Sequence, residues 1–241
     1  PSLTTGICTL STSGYGRGSR SGGAHGGSGG SGPAGVGGLA QTATYGDMES
    51  PDTFGSGGSA GGNGGEHGRN GGGKIYLRVL GPVAIHGAIR ADSGPLLPSN
   101  VSPYGVGGGS GGSIFLRGQL ISGSGVISAN GGGGPHTSVD DISGGGGGGR
   151  VAVLYSGFSG FDPDVQITYA GGVAGPPHWW FGQGESGGSG TLYTLQVNQV
   201  PNIPVSLGQS SLVDGSTTGT TNPIFTFTLS DDDVADTVQY R

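Results

Sequence analysis

Cysteine is nearly missing from this chain: Cys8 is the only one in 241 residues. A disulfide framework and a thiolate zinc site within the chain are therefore excluded. Charge is scarce too, with Lys, Arg, Asp and Glu at 10% against about a quarter in ordinary globular domains. The nine Lys and Arg stand singly along a chain of net charge −6, so the clustered basic footprint of a nucleic-acid binder is not there. No apolar run approaches the roughly 20 residues that carry a helix across a bilayer. Helical spacing of apolar residues is also wanting, because glycine interrupts every window long enough to nucleate a helix. Signals of catalysis are just as thin. Carboxylates are few and not repeated in placement, and a glycosidase pair would need a cleft and one raised pKa. The five His fall in different segments, and no Ser-His-Asp order stands out among the many Ser. No enzyme and no obligatory cofactor are expected.

Glycine is what the chain has in abundance, 61 of 241 residues, about a quarter where roughly 7% is usual. With no strict three-residue period and 14 Pro, a collagen triple helix is ruled out. A longer repeat is visible instead. Strand-like runs follow glycine at Lys74-Ile75-Tyr76-Leu77-Arg78, Ser113-Ile114-Phe115-Leu116-Arg117, Arg150-Val151-Ala152-Val153-Leu154 and Thr191-Leu192-Tyr193-Thr194-Leu195, in steps of 39, 37 and 41 residues. Internal repeats of this size decide the fold before anything else. Within the runs apolar residues alternate, Ile75 with Leu77, Ile114 with Leu116, Val151 with Val153, as on a strand with one buried face. The first three runs are each followed by a second, shorter strand rich in Ala, Ser and Ile: residues 83–91, 118–129 and 165–169. Strands this short bury too little alone and must stack on their neighbours, which is the logic of a solenoid.

The glycine tracts, 17–73 above all, admit two readings. They are either disordered, because ordering glycine costs the most backbone entropy, or they are extended three-residue-per-turn helices packed backbone to backbone. The ordered reading is the expectation, with Tyr45, Met48 and Phe54 as anchors and with tracts 105–112, 131–134 and 144–149 either in the same layer or as surface arms. Gly112, Gly131, Gly149 and Gly190 are expected to be structural, and Ile7 with Cys8 to form a short capping strand. Near 199 the character changes to a Pro-marked boundary, and Ile224 to Leu229 alternate strictly like a strand of a sandwich too short to close. The chain, opening at Pro1, reads as a processed or excised piece whose targeting information has been removed or lies elsewhere.

These tracts, the Gly-Gly-Ser/Lys/Arg-Ile-x-Leu strands and the segment Ile127-Ser128-Ala129-Asn130-Gly131-Gly132 resemble the glycine-rich repeat region of very large bacterial secreted or cell-surface, adhesin-like proteins. Residues 201–241 resemble the start of an immunoglobulin-like or fibronectin-like repeat. The resemblance implies an elongated parallel β-helix in a modular extracellular chain, and it supplies no catalytic residues. The fold expected is thus all-β: a β-solenoid-like stack with ordered, polyglycine II-like segments over 1–198, then a linker and an incomplete sandwich over 199–241.

Two candidate sites remain. His178, Trp179, Trp180 and Phe181 concentrate both Trp of the chain, and exposed aromatic faces recognise sugars and proteins; the competing reading is that a Trp plugs the stack. Asp231, Asp232, Asp233 and Asp236 have the close spacing calcium favours, as solvated turns also do. The expected function is a structural stalk or filament segment. Its partners would be neighbouring domains of the same chain, further copies in a surface filament, or a glycan or host surface. Alternatives are an adhesin module using Trp179 and Trp180, and a β-helix polysaccharide-degrading enzyme.

Overall fold

The computed structural model describes residues 20–33, 39–60, 68–95, 105–134, 142–177, 179 and 182–197. The chain divides into two compact units, Pro1–Leu195 and Gln196–Arg241, and apart from residues 196 and 197 the described residues lie in the first. The strand expected at Ile7 and Cys8, most of the loops 95–102 and 135–142, and the sandwich segment of 199–241 fall outside them.

The described chain is all-β with a single turn of helix. Its elements are β1 (Lys74–Arg78), β2 (Val83–Ala84), β3 (Ala88–Arg90), β4 (Ser113–Arg117), β5 (Leu120–Ser122), β6 (Val126–Ser128), β7 (Arg150–Tyr155), β8 (Gly157–Ser159), α1 (Pro163–Gln166), β9 (Ile167–Thr168) and β10 (Thr191–Gln196). They form three sheets, in the orders β1-β4-β7-β10, β2-β5-β8 and β3-β6-β9. The registered pairs are parallel: Lys74 faces Ser113 and Ser113 faces Arg150, so the first residue after each glycine tract meets its counterpart. The sheets are open, each ending in strands with a free side among the described residues.

The core lies between the three sheets. Ile114 and Leu116 of β4, Val151 and Val153 of β7, Ile121 of β5 and Ile127 of β6 are all fully buried in one cluster. In β4 and β7 the alternating residues do enter this core, but the opposite face is buried too, with Phe115 at 7% and Ala152 at 0%, so these strands lack the single buried face expected. In β1 the alternation is only half realised, since Leu77 is 38% exposed.

Two expectations need correction. The strand expected over 118–129 is two strands, β5 and β6, because the chain turns a corner inside it, just as 83–91 is β2 and β3. Gly123 makes that corner with φ 107°, a left-handed conformation open mainly to glycine. Gly125 and Val126 then donate to Ile85 O and Gly87 O of the preceding corner. The third repeat also does not run as strand from Val165. Asp162 caps α1 by accepting from Asp164 N, and Pro163 sits at the first helical position, where its fixed φ and missing N–H suit a helix start. Strand resumes only at Ile167.

After β3, β6 and β9 the repeats are tied by a ladder of side-chain amide and carboxylate groups. Asp92 Oδ1 accepts from Asn130 N at 2.7 Å, and Asn130 Oδ1 accepts from Ala170 N at 2.8 Å. Asn130 also donates from Nδ2 to Thr168 Oγ1 at 3.0 Å. Asp for Asn at position 92 therefore preserves the acceptor that the next repeat uses.

Candidate functional site

The glycine segments form a hydrogen-bonded layer that runs directly into the strands. Residues 142–149 lie at its centre. Gly144, Gly145 and Gly146 donate to Arg20 O, Glu185 O and Gly132 O; Gly147, Gly148 and Gly149 then donate to Gly23 O, Gly188 O and Ala129 O, all at 2.7–2.9 Å. The same neighbouring segment is reached every third residue, so the chain makes one turn per three residues, as an extended helix without internal bonds does. The carbonyls of Gly144, Gly145 and Gly146 accept from a second set of neighbours, Gly108 N, Gly30 N and Gly172 N. A segment held on all sides by backbone has no room for side chains. A Cβ at any residue from 144 to 149 would come closer than 3 Å to a neighbour's atom, usually a carbonyl. The same holds at Gly112 against Gly73 O, at Gly131 against Gly146 O and at Gly190 against Gly149 O, whereas Gly73 has nothing within 4 Å. Tracts 105–112 and 131–134 belong to this layer rather than to surface arms.

Polar side chains fill the places where the layer departs from glycine. Ser59 Oγ accepts from Ser21 N at 2.6 Å and donates to Ser21 O at 3.1 Å; Ser110 Oγ accepts from Ser56 N at 2.7 Å and donates to Ser56 O at 3.3 Å. Each hydroxyl serves the backbone of an adjacent segment, satisfying groups that water cannot reach.

Where the layer meets the four-stranded sheet, His25 is buried completely. Its Nδ1 is 2.9 Å from Gly111 O and its Nε2 2.8 Å from Thr53 Oγ1. A carbonyl can only accept, so Nδ1 carries the proton and Nε2 accepts from the Thr53 hydroxyl. Burial lowers the pKa of His25 from 6.5 to about 4, against the bond to Gly111 O, and the nearby Arg150 charge adds to the lowering. Arg150 binds three segments together, donating from Nε to Tyr45 O at 2.8 Å and from Nη1 to Thr191 Oγ1 at 3.0 Å. Tyr45 rests its ring 4.8 Å from that of His25 and donates its hydroxyl to Phe54 O at 2.6 Å. Of the three expected anchors only Tyr45 pins the chain in this way. Met48 and Phe54 are 44% and 62% exposed, because bonds from Tyr45 and from Ser113 Oγ to Thr53 O already hold that segment. The His25 ring is a closed cross-link with both nitrogens engaged and no face open to a substrate.

The segments 105–112, 142–149 and 184–190 enter β4, β7 and β10, so their first residues lie at the end of the layer remote from the sheets. Bonds at that level join Arg20 to Ala60, Arg69 to Gly107, Gly134 to Val173, Gly175 to Ser143 and Glu185 to Ser31. Trp179 belongs to the connection between residues 175 and 184 at this end and is 86% exposed, so it does not plug the stack. His178, Trp180 and Phe181 lie outside the described residues, as do Asp231, Asp232, Asp233 and Asp236. Among the described residues no group of three or more His, Cys, Asp or Glu converges as metal ligands would, and no helix is long and apolar enough to cross a membrane.

His25, Arg150 and the serine pairs are what sequence reasoning missed. A signal existed for the serines. Ser28 with Ser31, Ser56 with Ser59 and Ser110 with Ser113 are three apart, the spacing of one face on a three-residue-per-turn helix. No protein-family model matches the chain, and no curated protein or solved structure is similar to it.

Proposed function

We propose that this chain is a rigid structural segment, a stalk or filament element of a large secreted or cell-surface protein, and that its work is mechanical rather than catalytic. On this reading the stacked coils are a β-solenoid, the glycine layer is a bundle of polyglycine II-type helices, and the chain's partners are the domains that flank it. The observation that carries the proposal is the rotating donation of the amides of residues 144–149 to three neighbouring segments. A segment whose amides and carbonyls are all paired to neighbouring segments, as in residues 144–149, has no soft direction. It also lacks the exposed, extended backbone that proteases need.

Forced extension of the full chain between two handles tests the reading. A load-bearing segment unfolds in one or few abrupt events at a defined force. A smooth extension at low force, as a Gly-rich linker gives, would remove the mechanical role.

A second reading is favoured by the exposed indole of Trp179. An adhesin module would present it, at the end of the layer remote from the sheets, to a sugar or a protein surface. Glycan-array binding by the wild type that disappears in Trp179→Ala, with unchanged thermal unfolding, would establish that role; no binding by the wild type would dismiss it.

A further inference from the structure

The first repeat is finished differently from the second. β1, β2 and β3 are terminal strands of their sheets. Their inward residues are left uncovered accordingly. Leu77 is 38% exposed while its register partner Leu116 is 0%. Ile75, Val83 and Ile89 are partly buried where Ile114, Ile121 and Ile127 are fully so. Leu80, 83% exposed, extends the same rim.

The backbone of β1 is equally unfinished. Ser113 N donates to Gly73 O and Val79 N donates to Arg117 O. Along a strand the backbone groups alternate sides, so residues 75 and 77 turn theirs toward β4. The N–H and C=O groups of Lys74, Tyr76 and Arg78 then face the free edge. The side chains of the same residues are basic and aromatic. Arg78 stands in register beside Arg117, and the one ion pair among the described residues is Arg90 with Asp92. Tyr76 is stacked on Phe115 at 4.6 Å and 7° and is 55% exposed. On a chain of net charge −6, this edge is a local stretch of positive charge beside exposed apolar surface.

We propose that the β1 edge is a docking site for an extended peptide strand of a partner protein whose side chains alternate between acidic and apolar. Its backbone bonds to Lys74, Tyr76 and Arg78, its apolar residues cover Ile75 and Leu77, and its carboxylates meet Lys74 and Arg78. Charge selects this occupant. A second copy docking by the same edge would set Lys and Arg against Arg and Lys, the arrangement by which exposed strands avoid self-pairing. A second copy docking by β10 would bring the uncharged run Thr191–Gln196 and no acid for the basic residues.

The test is fluorescence anisotropy with the full chain and a labelled nine-residue peptide of alternating Glu and Val, beside a Lys and Val peptide of the same length. The Glu and Val peptide should bind and the Lys and Val peptide should not. Lys74→Glu with Arg78→Glu should weaken binding at least about tenfold, and Lys74→Gln with Arg78→Gln should weaken it less. Tyr76→Pro deletes one edge N–H, a change that edge strands tolerate, and should weaken binding more than Tyr76→Ala, which loses the same stacking on Phe115 but keeps the N–H. Failure of the acidic peptide to bind, equal binding of both peptides, or binding indifferent to these substitutions would overturn the proposal. So would slow exchange of the Lys74, Tyr76 and Arg78 amides without peptide, since the edge would then be occupied by the chain itself.

Discussion

A methyl group on Gly146 would land against the carbonyl of Gly109, closer than 3 Å, while one on Gly73 would meet nothing within 4 Å. Backbone on a neighbouring segment cannot swing aside as a side chain can, so the two substitutions should differ sharply. Gly146→Ala is expected to cost at least about 4 kcal/mol or to abolish folding. Gly73→Ala should fall within about 1 kcal/mol of the wild type and could stabilise it by restricting the unfolded chain. Urea unfolding of the two variants decides this; equal midpoints would mean that residue 146 is not enclosed.

His25 supplies a second residue-scale prediction. The ring titrates at 6.5 when unfolded and at about 4 when buried, so the fold prefers it neutral. Its stabilising contribution is therefore complete above pH 6.5 and is lost as the pH falls from there toward 4, by about 3 kcal/mol across the window. The positive charge of Arg150 acts in the same direction. Asp47, whose pKa is lowered by bonds from Ser50 N and Glu49 N, stays ionised over this interval, so the loss follows the titration of His25. Wild-type protein should lose urea resistance between pH 7 and pH 4.5, and His25→Gln should lose markedly less over that interval. Identical slopes would place the acid sensitivity elsewhere.

At the level of elements, the ladder from Asp92 to Asn130 to Ala170 ties successive repeats. Asn130→Asp keeps the acceptor for Ala170 N and loses only the donor to Thr168 Oγ1, whereas Asn130→Ala leaves the Ala170 N–H without its partner. The aspartate should cost under about 1 kcal/mol and the alanine about 1–2 kcal/mol, read from thermal unfolding; equal costs would mean that the Thr168 bond, which both variants lose, carries the ladder. Strands β4 and β7 were legible because Ile114, Leu116, Val151 and Val153 recur at every second position directly after a glycine tract. The corners were not, because Gly123 and Gly125 look like any other glycine in a chain so rich in it, and their meaning depends on the Ile85 and Gly87 carbonyls one repeat away. The turn of α1 was hidden for a different reason. Asp162 and Pro163 are a recognisable helix start, but four residues are too few to show periodicity.

For the molecule as a whole, the sequence carried the glycine tracts as far as an expectation of ordered, three-residue-per-turn helices, but not to which segments pair. A layer built from backbone bonds leaves almost no side-chain pattern. What it does leave, serines three residues apart and a lone His25, resembles low complexity unless the neighbouring segments are known. The exposed Trp179 was legible as an aromatic concentration, though its position at the end of the layer was not. The layer is also the feature on which the proposed mechanical role stands. Amide hydrogen exchange resolved at residues 144–149 tests it most directly. Exchange as slow as that of Val151 and Val153 in the adjoining strand is expected, uniform across the segment, because each amide is bonded to a neighbour and opens only with the whole unit. Exchange near the rate of an unstructured chain would contradict the layer, and with it the rigid segment.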